Sequence, residues 1–226
     1  MQTATIESLS VLLREQTRPD HERAERSDFL AALLAGKLST DIYADLLAQL
    51  LPVYAALEMA APRLAQDPRT APFVREALFR VPAIEADLTH LIGPDWSSRV
   101  EVTNAAVAYA QRVDEVAQSW PAGWIAHHYT RYLGDLAGGQ AIRAILQRHY
   151  GLGALGTSFF DFAALGPIKP FRDDYRAALD ACPLDAEHQQ RVVEEASRAF
   201  RHNRAIFDEL GERHVIADTT NQQPHG

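Results

Sequence analysis

Cysteine and positive charge are both scarce in this 226-residue chain. Its single cysteine, Cys182, cannot form an intrachain disulfide, which fits a reducing compartment. Lys and Arg number 22 against 30 Asp and Glu, and the formal net charge of -8 argues against general nucleic-acid binding. One cysteine is too few for an iron–sulfur cluster, and no flavin or nicotinamide fingerprint occurs. Electrons for any redox chemistry are therefore expected to come from outside the chain.

Long apolar runs are also missing. No stretch of ~18 apolar residues occurs, so no membrane span is expected. The first ten residues, M-Q-T-A-T-I-E-S-L-S, lack the basic region and apolar run of a signal peptide. The sequence therefore predicts a soluble, cytoplasmic protein without a membrane anchor.

Strand-like alternation is nearly absent, and most segments follow the helical period. Hydrophobic residues make up 47% of the chain, which is enough for a sizeable core. Internal repeats and low-complexity linkers are not found. The sequence predicts a single all-α domain over residues 1–211, followed by a polar, flexible tail at 212–226.

The helical period and its breakers give approximate helix bounds. Pro19 should end the first helix, whose apolar face begins at Ile6, and Pro52 should kink the third, which Pro62 should close. The predicted helices lie at about 5–18, 20–35, 40–61, 102–118, 123–149, 171–182 and 184–210, with two short ones within 71–92.

The most informative segment is residues 129–140, Y-T-R-Y-L-G-D-L-A-G-G-Q. Each glycine inside a helix costs ~1 kcal/mol of stability relative to alanine, and this segment contains three glycines. Gly134 and Gly138 are four apart, so they leave one helix face bare, with Asp135 beside it. Close helix packing and a flat ligand pressed against the helix both explain that spacing. Gly139 favours the ligand, because adjacent glycines loosen the hydrogen-bond ladder as at a kink.

A second candidate site lies near the N-terminus. His21 and Glu25 are four apart and therefore neighbours on one helix face. A metal-ligating imidazole usually donates its other N–H to an acceptor such as a carboxylate. By spacing alone, a surface histidine is the commoner explanation.

Both segments resemble the heme oxygenase family. Residues 129–140 are similar to the family's distal-helix signature, and L-R-E-Q-T-R-P-D-H-E-R-A-E-R-S-D-F-L is similar to its proximal helix. In the proximal helix a histidine is followed by alanine and glutamate at the third and fourth positions, which His21, Ala24 and Glu25 match. The resemblance covers about residues 6–211. It implies a single-domain bundle that sandwiches heme between a proximal and a kinked distal helix.

The resemblance also implies the role of each site residue. Heme b would be both substrate and cofactor, with His21 as the axial ligand of its iron. Asp135 would order waters that deliver protons on the distal side. The other implied catalytic residues are Gly134, Gly138, Tyr54 and Arg131. The implied heme-binding residues are Arg14, Arg18, Glu25, Tyr129, Gly139, Arg172, Arg176, Phe200 and Asn203.

The four arginines of that set, Arg14, Arg18, Arg172 and Arg176, are implied to face the heme propionates. Arginine forks suit carboxylates. Spacing alone is equally consistent with a solvated face on which Arg172 and Arg176 pair with Asp173 and Asp174.

The implied reaction is oxidative cleavage of heme at a meso carbon, which yields biliverdin, carbon monoxide and ferrous iron. It requires dioxygen and an external electron donor, either a ferredoxin or a reductase. Eukaryotic family members often carry a C-terminal membrane anchor, and its absence from this sequence suggests a soluble bacterial type.

Three alternatives share the expected fold or ligand. Carboxylate-bridged di-iron proteins need Glu-x-x-His pairs, which do not occur here. Thiamine-degrading enzymes need a nucleophilic cysteine, and Cys182 has no base near it in sequence. A heme carrier or sensor would bind heme without turnover. Asp135 favours an oxygenase over a carrier, since a carrier gains nothing from a distal aspartate.

Overall fold

Helix formers dominate the sequence, and helices account for all the regular structure of the described residues. The computed structural model describes residues 7–220, with side chains as far as His214. The α-helices are α1 Leu9–Gln16, α2 Arg18–Glu25, α3 Asp28–Leu34, α4 Thr40–Leu64, α5 Val81–Ile92, α6 Asn104–Ser119, α7 Pro121–His128, α8 Gly134–Tyr150, α9 Ile168–Asp180 and α10 Ala186–Thr220. The predicted all-α fold is confirmed.

Helix α4 forms the centre of the core and packs mainly against α5 and α6. By length and composition it could cross a membrane, but 61% of its most apolar stretch is buried inside the protein. It is therefore a core helix. Contrary to the prediction that Pro62 closes it, the helix continues through Pro52 and Pro62 to Leu64. Burial of its apolar residues on both sides offsets the cost of the prolines.

The N-terminal segment is divided into short helices, and a proline or a serine stands at the start of two of them. Pro19 is the second residue of α2, a position where a helix does not need the missing N–H. The helix predicted over 20–35 is in fact split. Ser27 caps α3, its Oγ accepting the Leu30 N–H at 3.3 Å. Residues 1–6, and with them Ile6 and the predicted helix start, lie outside the described residues.

The predicted helix over 123–149 consists of α7, a π-helical turn at Tyr129–Leu133, and α8. The irregular turn lies directly before Gly134, whereas the predicted kink lay at the glycines themselves. All three glycines sit in regular α8. The backbone hydrogen bonds thus depart from the α-helical pattern about one turn before the glycines, where the kink is predicted. Such π-turns are frequent in functional sites.

Helix α10 packs against α1, α2, α3, α6 and α7, and therefore reaches both sides of the candidate site. It extends beyond the predicted end at residue 210 to Thr220. The predicted tail, 212–226, thus begins inside this helix. Residues 221–226 lie outside the described residues, and the flexibility of the tail stays a prediction. In the 71–92 segment, two 3-10 turns, Ala71–Phe73 and Glu76–Leu78, replace the first predicted helix, and α5 is the second.

Candidate heme site

A cleft separates α2 from the π-turn and the start of α8. Its outer and inner parts meet at four residues: His21, Thr130, Gly134 and Phe200. Basic residues line the outer part. The inner part is mainly apolar, and its polar residues include Arg131, Asp135 and Asn203. The two segments singled out in the sequence therefore face one cleft.

The α2 wall presents His21 with its ring accessible. The side chain is 46% exposed and packs edge-on against Phe200, with the ring centroids 5.3 Å apart. The nearest carboxylate oxygen, Oε1 of Glu25, lies 3.6 Å from Nε2, which is longer than a hydrogen bond. Glu25 is thus close to the ring, as the spacing predicted. The imidazole remains available to a ligand.

The glycines of α8 differ in what surrounds them. A Cβ added to Gly134 or Gly138 would meet no atom within 4 Å, so the predicted bare face exists and looks onto open space. A Cβ added to Gly139 would lie 2.8 Å from Cδ1 of Phe160. Gly139 therefore packs against Phe160, and its contact with heme stays a prediction. Gly134 and Gly138 provide room for a flat group pressed against the helix.

Behind the glycine face lies a buried polar network of four residues, named here the distal network: Tyr54, Arg131, Asp135 and Asn203. The Tyr54 hydroxyl donates to Asp135 Oδ2. Arg131 donates to Tyr54 Oη at 3.1 and 3.0 Å, to Asp135 Oδ1 at 3.3 Å and to Asn203 Oδ1 at 2.6 Å. Tyr54 and Arg131 thus contact Asp135, and their part in proton delivery stays a prediction.

Burial governs the protonation of this network. It raises the pKa of the Asp135 carboxyl, and the charge of Arg131 and the Tyr54 hydrogen bond oppose that effect. Burial also holds the pKa of Tyr54 well above its usual range, so its hydroxyl stays protonated. Burial lowers the pKa of Arg131. The neighbouring Tyr54 and Asp135 outweigh that effect, so the pKa is raised overall. A fixed cation therefore sits beside a carboxyl that is easier to protonate than an exposed one.

The outer part of the cleft carries Arg14, Arg172 and Arg176 around Tyr129, and Arg18 lies at its entrance. Arg14 and Arg18 are exposed and pair with neighbouring glutamates. Arg176 pairs with Asp173 at 3.0 Å, as expected for a solvated face. Arg172 differs, because its buried Nε has no hydrogen-bond partner among the described residues. Of the four arginines, Arg172 is the one without a carboxylate partner among the described residues.

The sequence did not single out most of the apolar residues of the inner wall. Phe159 and Phe160 come from a loop without periodic signal. Arg80 holds that loop by donating to the Asp161 carbonyl at 2.6 Å, and Asp87 accepts its N–H groups. Phe207 could have been found, since it shares a helix face with Asn203. Besides Ala24 and Phe200, the apolar residues of this wall are Leu30, Leu33, Leu46, Leu50, Ile142, Phe159, Phe160 and Phe207.

These residues fit a flat, mostly apolar group with acidic substituents and a metal centre. His21 offers one nitrogen ligand, the glycine face offers a flat surface, and the outer arginines offer cations. Among the described residues, no three His, Cys, Asp or Glu side chains gather to hold a metal ion by themselves. A metal held here through His21 would need most of its other ligands from the bound group.

Comparison with known proteins agrees with this geometry. The family model described as heme oxygenase matches residues 7–209. Heme oxygenase 1 of the cyanobacterium Synechocystis is 36% identical over 203 residues, covering 90% of this chain and 85% of the relative. Heme oxygenase of Porphyra purpurea is 36% identical over 206 residues, covering 91% and 87%.

Solved structures give the same result. The crystal structure of heme oxygenase-1 from Synechocystis in complex with heme superposes with a TM-score of 0.90 at 34% identity, covering 95% of this chain and 97% of that one. The likeness thus extends over the whole fold and both walls of the cleft. The chain belongs to the heme oxygenase family.

Proposed function

We propose that this protein binds heme in the cleft between α2 and α8 and cleaves it oxidatively at a meso carbon, releasing biliverdin, carbon monoxide and ferrous iron. One observation carries the proposal. An accessible imidazole and a buried Tyr54–Arg131–Asp135 network lie on opposite walls of one cleft, next to glycines that leave room for a flat ring. Heme b is both substrate and cofactor.

His21 is the proposed axial ligand. A neutral imidazole is a common ligand of iron, and the proximal ligand of many heme proteins. Glu25, 3.6 Å away, is close enough to accept the other ring N–H after a small side-chain rotation, which would fix the orientation of the imidazole. Phe200 supports the ring from its edge.

The distal network is the proposed proton source. Bound heme supplies the iron that activates dioxygen, and an external ferredoxin or reductase supplies the electrons. Arg131 and Tyr54 hold Asp135 in one orientation, because both donate to it. Asp135 in turn orders water on the cleft side and passes protons to it. Gly134 and Gly138 place no side chain there to divert the reaction.

The outer arginines are the proposed partners of the heme propionates. Arginine binds carboxylates through paired N–H donors. Arg172 lines the outer cleft and has no carboxylate partner among the described residues, so it would gain one when heme binds. Arg14, Arg18 and Arg176 would first exchange their present carboxylate partners. We also propose a soluble, cytoplasmic protein, in keeping with the burial of α4.

The test is to add hemin to the purified protein, then a reductant in air, and to follow the visible spectrum. The expected result is a Soret band from bound heme that gives way to a bilin band. Carbon monoxide release, measured by trapping with reduced myoglobin, checks the stoichiometry. A stable heme complex that never forms bilin would instead identify a heme carrier or sensor.

A further inference from the structure

A second histidine of α7, outside the distal network, is fully enclosed by aromatic rings. His128 is the last residue of α7 and is 2% exposed. Its ring centroid lies 4.5 Å from that of Trp124 and 4.4 Å from that of Tyr132. Its Nδ1 is 2.8 Å from the hydroxyl of Tyr175, which is buried on α9. This polar contact thus joins two helices inside an otherwise apolar cluster.

The direction of the hydrogen bond follows from the protonation states together with the partners of the Tyr175 hydroxyl. Burial lowers the pKa of His128 to about 3, so the ring is neutral. Burial also holds the pKa of Tyr175 well above its usual range, so the hydroxyl keeps its proton. A phenol hydroxyl can also accept, but that of Tyr175 has no other hydrogen-bond partner among the described residues, so it donates to Nδ1 and the ring proton resides on Nε2. The bond has one donor and one acceptor, and the tautomer is fixed.

The two ends of this bond lie beside different parts of the cleft. Tyr175 stands between Arg172 and Arg176 on α9, and both arginines line the outer cleft. His128 directly precedes the π-turn, whose first two residues, Tyr129 and Thr130, line the same part. Helix α9 packs mainly against α1 and the Ala71–Phe73 turn. The His128–Tyr175 bond therefore ties the arginine-bearing helix to the wall that carries the glycine face.

We propose that His128 and Tyr175 are positioning residues that fix α9 relative to the distal wall, and so set where Arg172 and Arg176 meet the two carboxylates of heme. This inference rests on the proposed function. The carboxylate positions determine how the ring is rotated in the cleft, and hence which meso carbon lies next to Asp135. The pair thus acts on regiochemistry through the arginines, without touching the substrate.

Comparing heme with its dimethyl ester separates this role from a general packing role. The ester has the same ring but no carboxylates for the arginines to bind. Tyr175→Phe removes one oxygen atom and leaves the aromatic cluster filled. Since a hydrogen bond contributes a net ~1 kcal/mol, the variant should bind heme about threefold to tenfold more weakly. Its affinity for the ester should stay within about twofold of the parent.

Three further variants complete the experiment. Tyr150→Phe is the matched control, because it removes a hydroxyl that donates to the Leu33 carbonyl at 3.0 Å, away from α9. It should leave the ratio of heme to ester affinity unchanged. His128→Asn keeps an acceptor near the position of Nδ1 and should preserve more of that ratio than His128→Leu does. In the protein without heme, the ring ¹⁵N shifts of His128 should show an unprotonated Nδ1.

Biliverdin isomers provide a second readout. The Tyr175→Phe product should contain more of the minor isomers than the parent product when separated by chromatography. Equal losses of affinity for heme and ester, or no loss for either, would overturn this inference while leaving the proposed function intact. A parent protein that binds no heme at all would overturn the proposed function, and this inference with it.

Discussion

The two walls of the cleft are prepared for a ligand to different degrees. On the α2 wall, His21 is half-exposed and its ring lies 3.6 Å from the nearest carboxylate, so no hydrogen bond orients it. On the opposite wall, Tyr54, Arg131, Asp135 and Asn203 are all buried and bonded to one another. The fold itself therefore builds the distal wall, whereas the proximal wall is completed by the ligand. Changes to the buried distal network should disturb turnover and stability, whereas a change at His21 should act through heme binding and leave stability unchanged.

The largest expected effect is on the proximal wall. His21→Ala should abolish nitrogen ligation of heme and bilin formation, because the cleft offers no second imidazole. Its melting temperature should stay near that of the parent, since His21 is half-exposed and surface substitutions usually change stability by less than about 0.5 kcal/mol. The ferric and ferrous spectra and a thermal melt are the measurements.

The matched control for that variant is His90→Ala, at an exposed histidine outside the cleft. It should retain both the heme spectrum and the turnover of the parent. Parent-like spectra in His21→Ala would show that another histidine binds the iron, and would remove the basis of the comparison between the walls.

The next effect concerns the glycine face. Gly134→Leu places a side chain in open space on the cleft side, so the protein should fold normally but bind heme more weakly. Overpacking of this kind costs about 1–3 kcal/mol, which corresponds to an affinity loss of about 5- to 150-fold. Hemin titration and a thermal melt measure the two properties.

Gly139→Ala gives the opposite pattern and serves as the control. Its Cβ would meet the Phe160 ring at 2.8 Å, so the melting temperature should fall while heme affinity in the folded protein changes little. If Gly134→Leu lowers stability and leaves heme affinity unchanged, the glycine face packs against protein and does not receive the ligand.

A smaller effect is expected at the outer arginines. Replacing Arg172 and Arg176 together by glutamate should weaken heme binding about tenfold, since partly exposed ion pairs contribute up to ~1 kcal/mol each and the substitutions reverse the charge. The product should also contain mixed biliverdin isomers. Hemin titration and chromatography of the product are the measurements.

A control with the same change of net charge is available in Lys37→Glu with Arg148→Glu, two exposed cations that do not line the cleft. A single isomer at undiminished heme affinity in the Arg172 and Arg176 variant would place these arginines on a merely solvated surface.

The smallest effect on heme binding is expected at His128, whose burial also makes stability depend on pH. Burial lowers the pKa of His128 to about 3 from 6.5, so the unfolded chain binds a proton there that the folded chain does not. Its contribution to stability is therefore present above pH 6.5 and is lost as the pH falls toward 3. His128→Leu should flatten the fall of melting temperature between those values. Parallel curves for parent and variant would show that the ring titrates normally and is not held neutral.

The sequence anticipated the chemistry of the cleft better than its packing. Arg131 and Asp135 are one helical turn apart, so their contact follows from spacing. Tyr54 lies 81 residues from Asp135, and only the resemblance to a family brought it in. The contact of Phe160 with Gly139 joins a loop to a helix and left no periodic signal. For that reason the sequence does not distinguish Gly139 from Gly134 and Gly138, whose added Cβ atoms would meet open space.

Helix bounds were missed where tertiary packing outweighed local preference. Pro62 was expected to end α4, but the surrounding apolar residues keep the helix continuous to Leu64. The π-turn at Tyr129–Leu133 contains no glycine or proline, so nothing in its composition distinguishes it from α-helix. Ser27 was a readable signal, because a serine before an apolar run commonly caps a new helix.

The comparison of the two walls is tested most directly at Asp135. Asp135→Asn keeps the size of the side chain and an acceptor for Tyr54, but it cannot exchange protons as a carboxyl does. Hemin titration and single-turnover bilin formation should be measured on the same preparation. Affinity should stay within about twofold of the parent, while bilin formation falls by ~10²–10⁴-fold, the usual contribution of general acid–base catalysis. Bilin formation at the parent rate, or an equal loss of affinity and turnover, would contradict the account.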